Sequence, residues 1–313
     1  MKIKLILLGA TVMAVAILSS CKRKHQQQQA AAPADTQISG TVAIAADESF
    51  QPILDQELFV FKGLYTEAKP RVKYGTENTV LSNLLSDSVR VAIMARELNA
   101  DEVKVLANRT LRPEAYCFAV DAVVLIVNNA SNDTTMTVRE IKDMLNGRAK
   151  QDANIVFDNP NSSLVRYLKD FSGNKDLKQK NIFALKTNKD VITYVSQHPN
   201  AIGIVGFGWL VEPDADYEQA ANNVKVVAVK DESNKKAPNE FFKPSQSTLA
   251  LKEYPLSRRL YMINCTGNPT GLGTGFENFL TSQRGQRIIL KSGLLPDSLP
   301  QREINVIHKL SIK

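Results

Sequence analysis

Between Thr41 and Ala119 the apolar positions alternate between two periods. Thr41-Val-Ala-Ile-Ala45 reads as a short strand, and Phe50 to Tyr65 carries apolar residues at helical spacing. Pro52 falls in the first turn of that helix, where its missing N–H leaves no hydrogen bond unmade. Pro70 to Tyr74 predicts a second strand, Glu77 to Leu85 a second helix, and Val89 to Met94 a third strand. Asn99 with Glu102 forms a capping-box pattern that starts another helix. Strands separated by helices imply a mainly parallel sheet covered on both faces.

The pattern restarts at Asp121. Ala122-Val-Val-Leu-Ile-Val127 is a continuous apolar run of the kind found in a fully buried strand. Thr137 and Glu140 cap a helix that stops near Asn146-Gly147. Asn154-Ile-Val-Phe157 predicts a strand, Ser163 to Phe171 a helix, Thr187 with Asp190 another helix start, and Ala201 to Val205 a strand. These make a second α/β lobe. Near the end, Leu260 to Asn264 is a strand and Phe276 to Leu290 an amphipathic helix, with Gly293 as its stop. The last elements are expected to return to the first lobe. The chain would then cross between lobes near Phe118 to Val123 and near Arg258 to Met262, giving a two-stranded hinge. The expected division is lobe I at 40–119 and 259–313, and lobe II at 120–258.

The N-terminus carries a different signal. Lys2 and Lys4 precede an apolar run from Leu5 to Leu18, then Ser19, Ser20 and Cys21. That order marks a secretory signal at 1–20, too short to span a bilayer, and the small residues before Cys21 resemble the bacterial lipobox, in which the cysteine is acylated. Residues 21–39 hold a glutamine run and an alanine-rich stretch but few core-forming side chains, so they read as a tether. The expected location is the cell envelope, lipid-anchored to a bacterial membrane with the protein body facing the periplasm.

Composition narrows the function. The net charge is +7, and beyond Lys22-Arg23-Lys24 it is spread along the chain, which suits an anionic ligand and not a nucleic-acid footprint. Besides Cys21 only Cys117 and Cys265 remain, too few for a disulfide framework or structural zinc site. They flank the two crossings and read as free thiols, with a disulfide as the alternative. No metal or cofactor motif, phosphate loop, nucleophile elbow or dinucleotide fingerprint is present, so an enzyme is disfavoured.

Four stretches then stand out: Ala45-Ala-Asp-Glu-Ser-Phe50, Tyr74-Gly-Thr-Glu-Asn78, Ile93-Met-Ala-Arg-Glu-Leu98 and Asn159-Pro-Asn-Ser-Ser163. With the ending Phe279 to Gln286 and Lys291 to Pro296, their order resembles the phosphate-type solute-binding proteins of ABC transporters, over almost all of 41–296. The resemblance implies an α/β, two-lobed type II periplasmic-binding-protein fold. It also implies capture of phosphate or a related oxyanion, delivery to an ABC permease, and a monomer. A non-transport lipoprotein that senses or stores the anion is the alternative.

Each stretch lies where a strand ends and a helix begins, so free N–H groups and the positive helix end face the crevice. The candidate ligand residues are Asp47, Glu48, Ser49, Phe50, Thr76, Glu77, Arg96, Asp158, Asn161, Ser162 and Ser163. Hydroxyls donate to oxyanion oxygens, and Arg96 would supply a fixed cation. One acid among Asp47, Glu77 and Asp158 would accept the proton that phosphate keeps and sulfate lacks. The chain departs from the family at three points. It has Ser162-Ser163-Leu164 where the family has Ser-Gly-Thr, Asp158 where the family has arginine, and Arg96 where the family has aspartate. The two charges thus look exchanged between lobes. Ser49, Thr76 and Ser162 equally suit helix caps, Arg96 with Glu97 suits a surface ion pair, and Trp209 suits packing.

Overall fold

A computed structural model describes residues 34–148 and 153–298. The expected signal peptide, Cys21 and the first part of the tether lie outside the described residues.

The first run of elements is β1 (Gly40–Asp47), a 3-10 turn (Glu48–Phe50), α1 (Gln51–Leu64), β2 (Ala68–Gly75), α2 (Glu77–Leu85), β3 (Val91–Met94) and α3 (Ala100–Ala107). The second is β4 (Glu114–Asn128), β5 (Thr135–Thr137), α4 (Val138–Leu145), β6 (Asn154–Phe157), α5 (Ser163–Ser172), β7 (Ile182–Ala184), α6 (Asn188–Gln197) and β8 (Ala201–Gly206). Then come α7 (Gly208–Val211), α8 (Glu218–Asn222), β9 (Val224–Val226), β10 (Ala228–Lys230) and α9 (Gln246–Ala250). The last are β11 (Ser257–Asn264), α10 (Leu272–Thr281), α11 (Gln283–Lys291) and β12 (Leu295–Pro296).

One sheet runs β2-β1-β3-β11-β4-β8-β6-β7, with β9 and β12 also on β4, while β5 and β10 form a separate pair. Pairing is parallel in β2-β1-β3 and in β8-β6-β7, as strand–helix alternation requires. The two parallel sets are joined by antiparallel β11 and β4. β4 belongs to both: Glu114 to Ala122 pairs with β11, and Val123 to Val127 pairs with β8.

The apolar core divides in the same place. One cluster draws its fully buried members from Ala122 to Leu256, including the continuous run Ala122–Val127. The others draw on 42–119 and 260–294. Along β1, Ile44 and Ala46 enter one cluster and Ala45 the other, which is the period-two signature of a strand covered on both faces. Phe61 on α1 packs edge-on against Phe276 and Phe279 of α10 at 5.2 Å.

The capping boxes at Asn99, Thr137 and Thr187 are all formed. Gly147 and Gly293 follow their helices with φ of 69° and 81°, where a side chain would be strained. Three features differ from the sequence expectation. The helix expected over 276–290 is two, because Ser282 adopts an extended backbone and caps α11 through Gly285 N–H. The strand expected at 122–127 is the second half of a fifteen-residue strand. Residues 35–39, expected within the tether, belong to the fold: the Asp35 carboxylate accepts from Leu272 N at 3.0 Å and Asn268 Nδ2 at 3.1 Å. Gln37 lies so close to Gly275 that a Cβ there would fall 1.8 Å from its carbonyl oxygen. Cys117 and Cys265 are free thiols.

Candidate functional site

Two strand-to-helix turns meet where β4 and β11 join the halves of the sheet. On one side β1 ends in Asp47, whose Oδ1 accepts from Ser49 N at 2.9 Å and so closes the 3-10 turn. Asp47, Ser49 and Phe50 are buried, Glu48 half-buried. On the other side β6 leads to Asp158, and Ser162 caps α5 by accepting from Val165 N at 3.2 Å. Ser162 Oγ donates to Asp158 Oδ1 at 2.5 Å, and Asn188 Nδ2 donates to Asp158 Oδ2 at 3.2 Å. Asn188 is oriented in turn by Gly206 N, which donates to its Oδ1 at 3.2 Å.

Between the turns stands Arg258, the second residue of β11 and only 5% exposed. Its Nε donates to Asp121 Oδ2 at 3.0 Å, and Nη2 lies 2.9 Å from the same oxygen. Nη1 donates to Ser163 Oγ at 3.0 Å, and the guanidinium carbon sits 4.7 Å from the centre of the Phe50 ring. A Cβ on Gly206 would come within 3.2 Å of Nη2, so the glycine keeps that nitrogen clear. One side chain thus joins both crossing strands, the α5 start and the first turn after β1.

Buried polar atoms in folded proteins are nearly always hydrogen-bonded. Among the described residues eight buried side-chain atoms lack a hydrogen bond, and five belong here: Asp47 Oδ2, Glu48 Oε1, Ser49 Oγ, Asp121 Oδ1 and Arg258 Nη2, the last still ion-paired with Asp121 Oδ2 at 2.9 Å. The spare capacity therefore belongs to the β1 turn and to the two crossing strands, beside an α5 start whose Asp158, Ser162 and Ser163 side chains are already hydrogen-bonded. Such a set can grip a small oxyanion that carries its own proton.

Charge is crowded there. Burial pushes the Asp158 carboxyl up to about 7; Asp47 and Glu48 reinforce the rise, while Ser162 and Arg258 oppose it. Burial also raises Asp47, outweighing the nearby Ser163 hydroxyl, Arg258 and the Ser49 N–H. Glu48 rises through burial and then through Asp47.

The remaining sequence candidates form a second group. Thr76 caps α2, accepting from Thr79 N at 3.4 Å. Glu77 is buried and accepts from Arg166 Nε at 2.6 Å and Arg96 Nε at 3.2 Å. Asn161 is exposed and accepts from Asn78 Nδ2 at 3.4 Å. Arg96, expected to offer its fork to the ligand, instead spends it inside the protein. It makes two bonds to Glu102 at 2.7 and 2.8 Å, one to Glu77 and one to the Glu97 carbonyl at 2.9 Å. Four of the roughly five N–H donors of an arginine are thereby used. The cation at the meeting of the turns is Arg258. The sequence signal for it was a charge in each crossing, Asp121 and Arg258, placed among strand-forming apolar residues. Trp209 is buried and packs as expected, but it also donates from Nε1 to the Ser49 carbonyl at 3.0 Å.

Comparison with known proteins adds to this geometry. A family model described as the PBP superfamily domain matches residues 31–284. The phosphate-binding protein PstS of Borreliella burgdorferi is 23% identical over 300 residues, covering 91% of this chain and 95% of that one. A solved substrate-binding protein with bound phosphate from Clostridium perfringens superposes with a TM-score of 0.68 at 18% identity, covering 83% of this chain and all of the other. An ABC-type phosphate transport receptor from Vibrio cholerae gives 0.61 at 18% identity over 82% of this chain and all of its own.

The raised Asp158 carboxyl has a consequence for stability. A carboxyl whose folded pKa is about 7 against 3.8 unfolded binds its proton more tightly in the native state. Its contribution is complete below the unfolded value and is lost as pH rises through the folded one. Ligand-free protein is therefore expected to lose thermal stability between about pH 4 and pH 7. Asp158→Asn, which mimics the neutral acid, should flatten that slope in differential scanning fluorimetry; an unchanged slope would show that Asp158 titrates normally.

Proposed function

The chain belongs to the PBP superfamily, and from that membership we propose that it is an extracytoplasmic solute-binding protein that captures phosphate and delivers it to an ABC permease. The lobes in this reading are 40–119 with 259–313, and 120–258, hinged through β4 and β11. The observation that carries it is the set of unpartnered buried atoms around Arg258, contributed by the β1 turn and by the two hinge strands themselves.

Each residue has a distinct role in the reading. Arg258 supplies the fixed cation, held by Asp121 along its Nε–Nη2 edge, and Nη1, beside Ser163, is the nitrogen it presents to the anion. Ser49 Oγ, Ser163 Oγ and the first N–H groups of α5 donate to oxyanion oxygens. Of the three acids considered, Glu77 is engaged by two arginines, and both oxygens of Asp158 already accept hydrogen bonds. Asp47 keeps one oxygen open, so when ionised it accepts the proton of hydrogen phosphate and repels sulfate. Neutral donors surround a single cation, which lets the anion leave again at the permease. The phosphate named in the description of the Borreliella relative and bound in the Clostridium structure supports this choice of solute.

Anchoring completes the reading. The signal at 1–20 and Cys21 would attach the chain to a membrane by acyl chains, with 22–34 as a spacer. Cys21→Ser is expected to move the protein from the membrane fraction to the soluble extracytoplasmic fraction; unchanged partitioning would exclude the lipid.

Calorimetry tests the ligand site. Ser49 Oγ has no partner in the protein, so Ser49→Ala should leave the melting temperature of ligand-free protein unchanged and weaken phosphate binding about fivefold. Arg258→Met should weaken it by at least about thirtyfold. Wild-type affinity in both variants would remove this cluster from the ligand site.

A further inference from the structure

Glu77 is a poor ligand for an anion but well placed for something else. It opens α2, which packs through Val80 and Leu84 into the cluster formed with Ala45, Ala92 and Met94. Arg166 projects from α5, which packs through Leu164, Val165 and Leu168 into the cluster of the other half. Between them run two hydrogen bonds, Arg166 Nε to Glu77 Oε1 at 2.6 Å and Nη2 to Oε2 at 3.2 Å. The carboxylate side chain is 3% exposed and the guanidinium side chain 33%. The pair therefore bridges the two cores directly, 89 residues apart in sequence.

Each partner also has a second counter-ion on its own half. Glu77 keeps Arg96 at 3.2 Å, and Arg96 keeps Glu102 at 2.7 Å. Arg166 keeps Asp170, one turn along α5, at 3.1 Å. Separating the halves would break the bond between them without leaving either charge unpaired, which is the usual cost of opening a buried ion pair. Two further hydrogen bonds join the same halves, Asn78 Nδ2 to Asn161 Oδ1 at 3.4 Å and Gln56 Nε2 to the Glu212 carboxylate at 2.9 Å.

We infer that Glu77 and Arg166 form a reversible latch across the cleft, which holds the closed form and sets how long the solute stays. The inference rests on the two-lobed binding reading for its solute, but the latch itself acts in ligand-free protein. It is electrostatic and partly exposed, so salt weakens it. Release is where a closure contact acts, because tuning within one complex falls mainly on the off-rate.

Two measurements on full-length mature protein test the latch. Small-angle scattering of ligand-free wild type should show a compact particle at low salt that expands at high salt; Glu77→Gln and Arg166→Gln should be expanded at both. In stopped-flow release of phosphate, each single variant should release roughly three- to tenfold faster. The double variant should be no faster than the faster single one, since both changes remove the same bond. Compact, salt-insensitive variants, or off-rate effects that multiply in the double variant, would overturn the latch. If wild type binds no phosphate, the functional reading fails while the scattering comparison still decides the latch.

Discussion

The buried pair of Arg258 and Asp121 is the constraint around which the rest of the site is arranged. Asp121 lies on β4 and Arg258 on the neighbouring β11, opposite one another in register. Taking both charges out of water is expensive, and a buried ion pair of this kind rarely adds stability over apolar residues of the same size. Its retention in strands otherwise lined by Phe118, Ala119, Val123 and Leu260 points to use. Asp121 holds the guanidinium by its Nε–Nη2 edge, so the opposite edge is turned toward Ser163 at the start of α5. Phe50 closes one face of the cation, and Gly206 leaves room for the pairing of Nη2 with Asp121.

The same fold places two electrostatic systems side by side, close enough that Glu77 of the second adds to the rise of Asp47 in the first. Around Arg258 several acids crowd one cation, so protons are retained and hydrogen-bonding capacity remains. Around Glu77 the balance is reversed: two arginines flank one carboxylate, with Glu102 and Asp170 as outer partners. The first arrangement is suited to holding a transient anion, and the second to holding two protein surfaces together. Both are built from helix starts. The strand-to-helix turns after β1, β2 and β6 bring their first residues to the same side of the sheet, as expected where parallel strands end at a crevice.

Much of this was legible before any coordinates. Capping boxes at Asn99, Thr137 and Thr187 are local hydrogen-bond patterns, so sequence spacing alone located those helix starts. The turns carrying Asp47 to Phe50 and Asp158 to Ser163 were legible for the same reason, since helix caps and oxyanion donors use the same residue types. What was not legible was pairing across long separations. Arg96 and Arg258 both follow strand signals, and nothing local shows that one meets Glu102 six residues on while the other meets Asp121. The break at Ser282 was hidden because the apolar spacing of Phe276 to Leu290 continues through it. Likewise β4 looked like a short strand because its first half, Glu114 to Cys117, lacks an apolar run.

The proposed function makes one physical claim, that a phosphate ion is gripped between the β1 turn and the α5 start. A crystal structure of the mature protein grown with phosphate tests it most directly. Tetrahedral density within hydrogen-bond distance of Arg258 Nη1, Ser49 Oγ and Asp47 Oδ2 is the expected result. Phosphate bound elsewhere, or those atoms satisfied by one another with no anion between them, would contradict it.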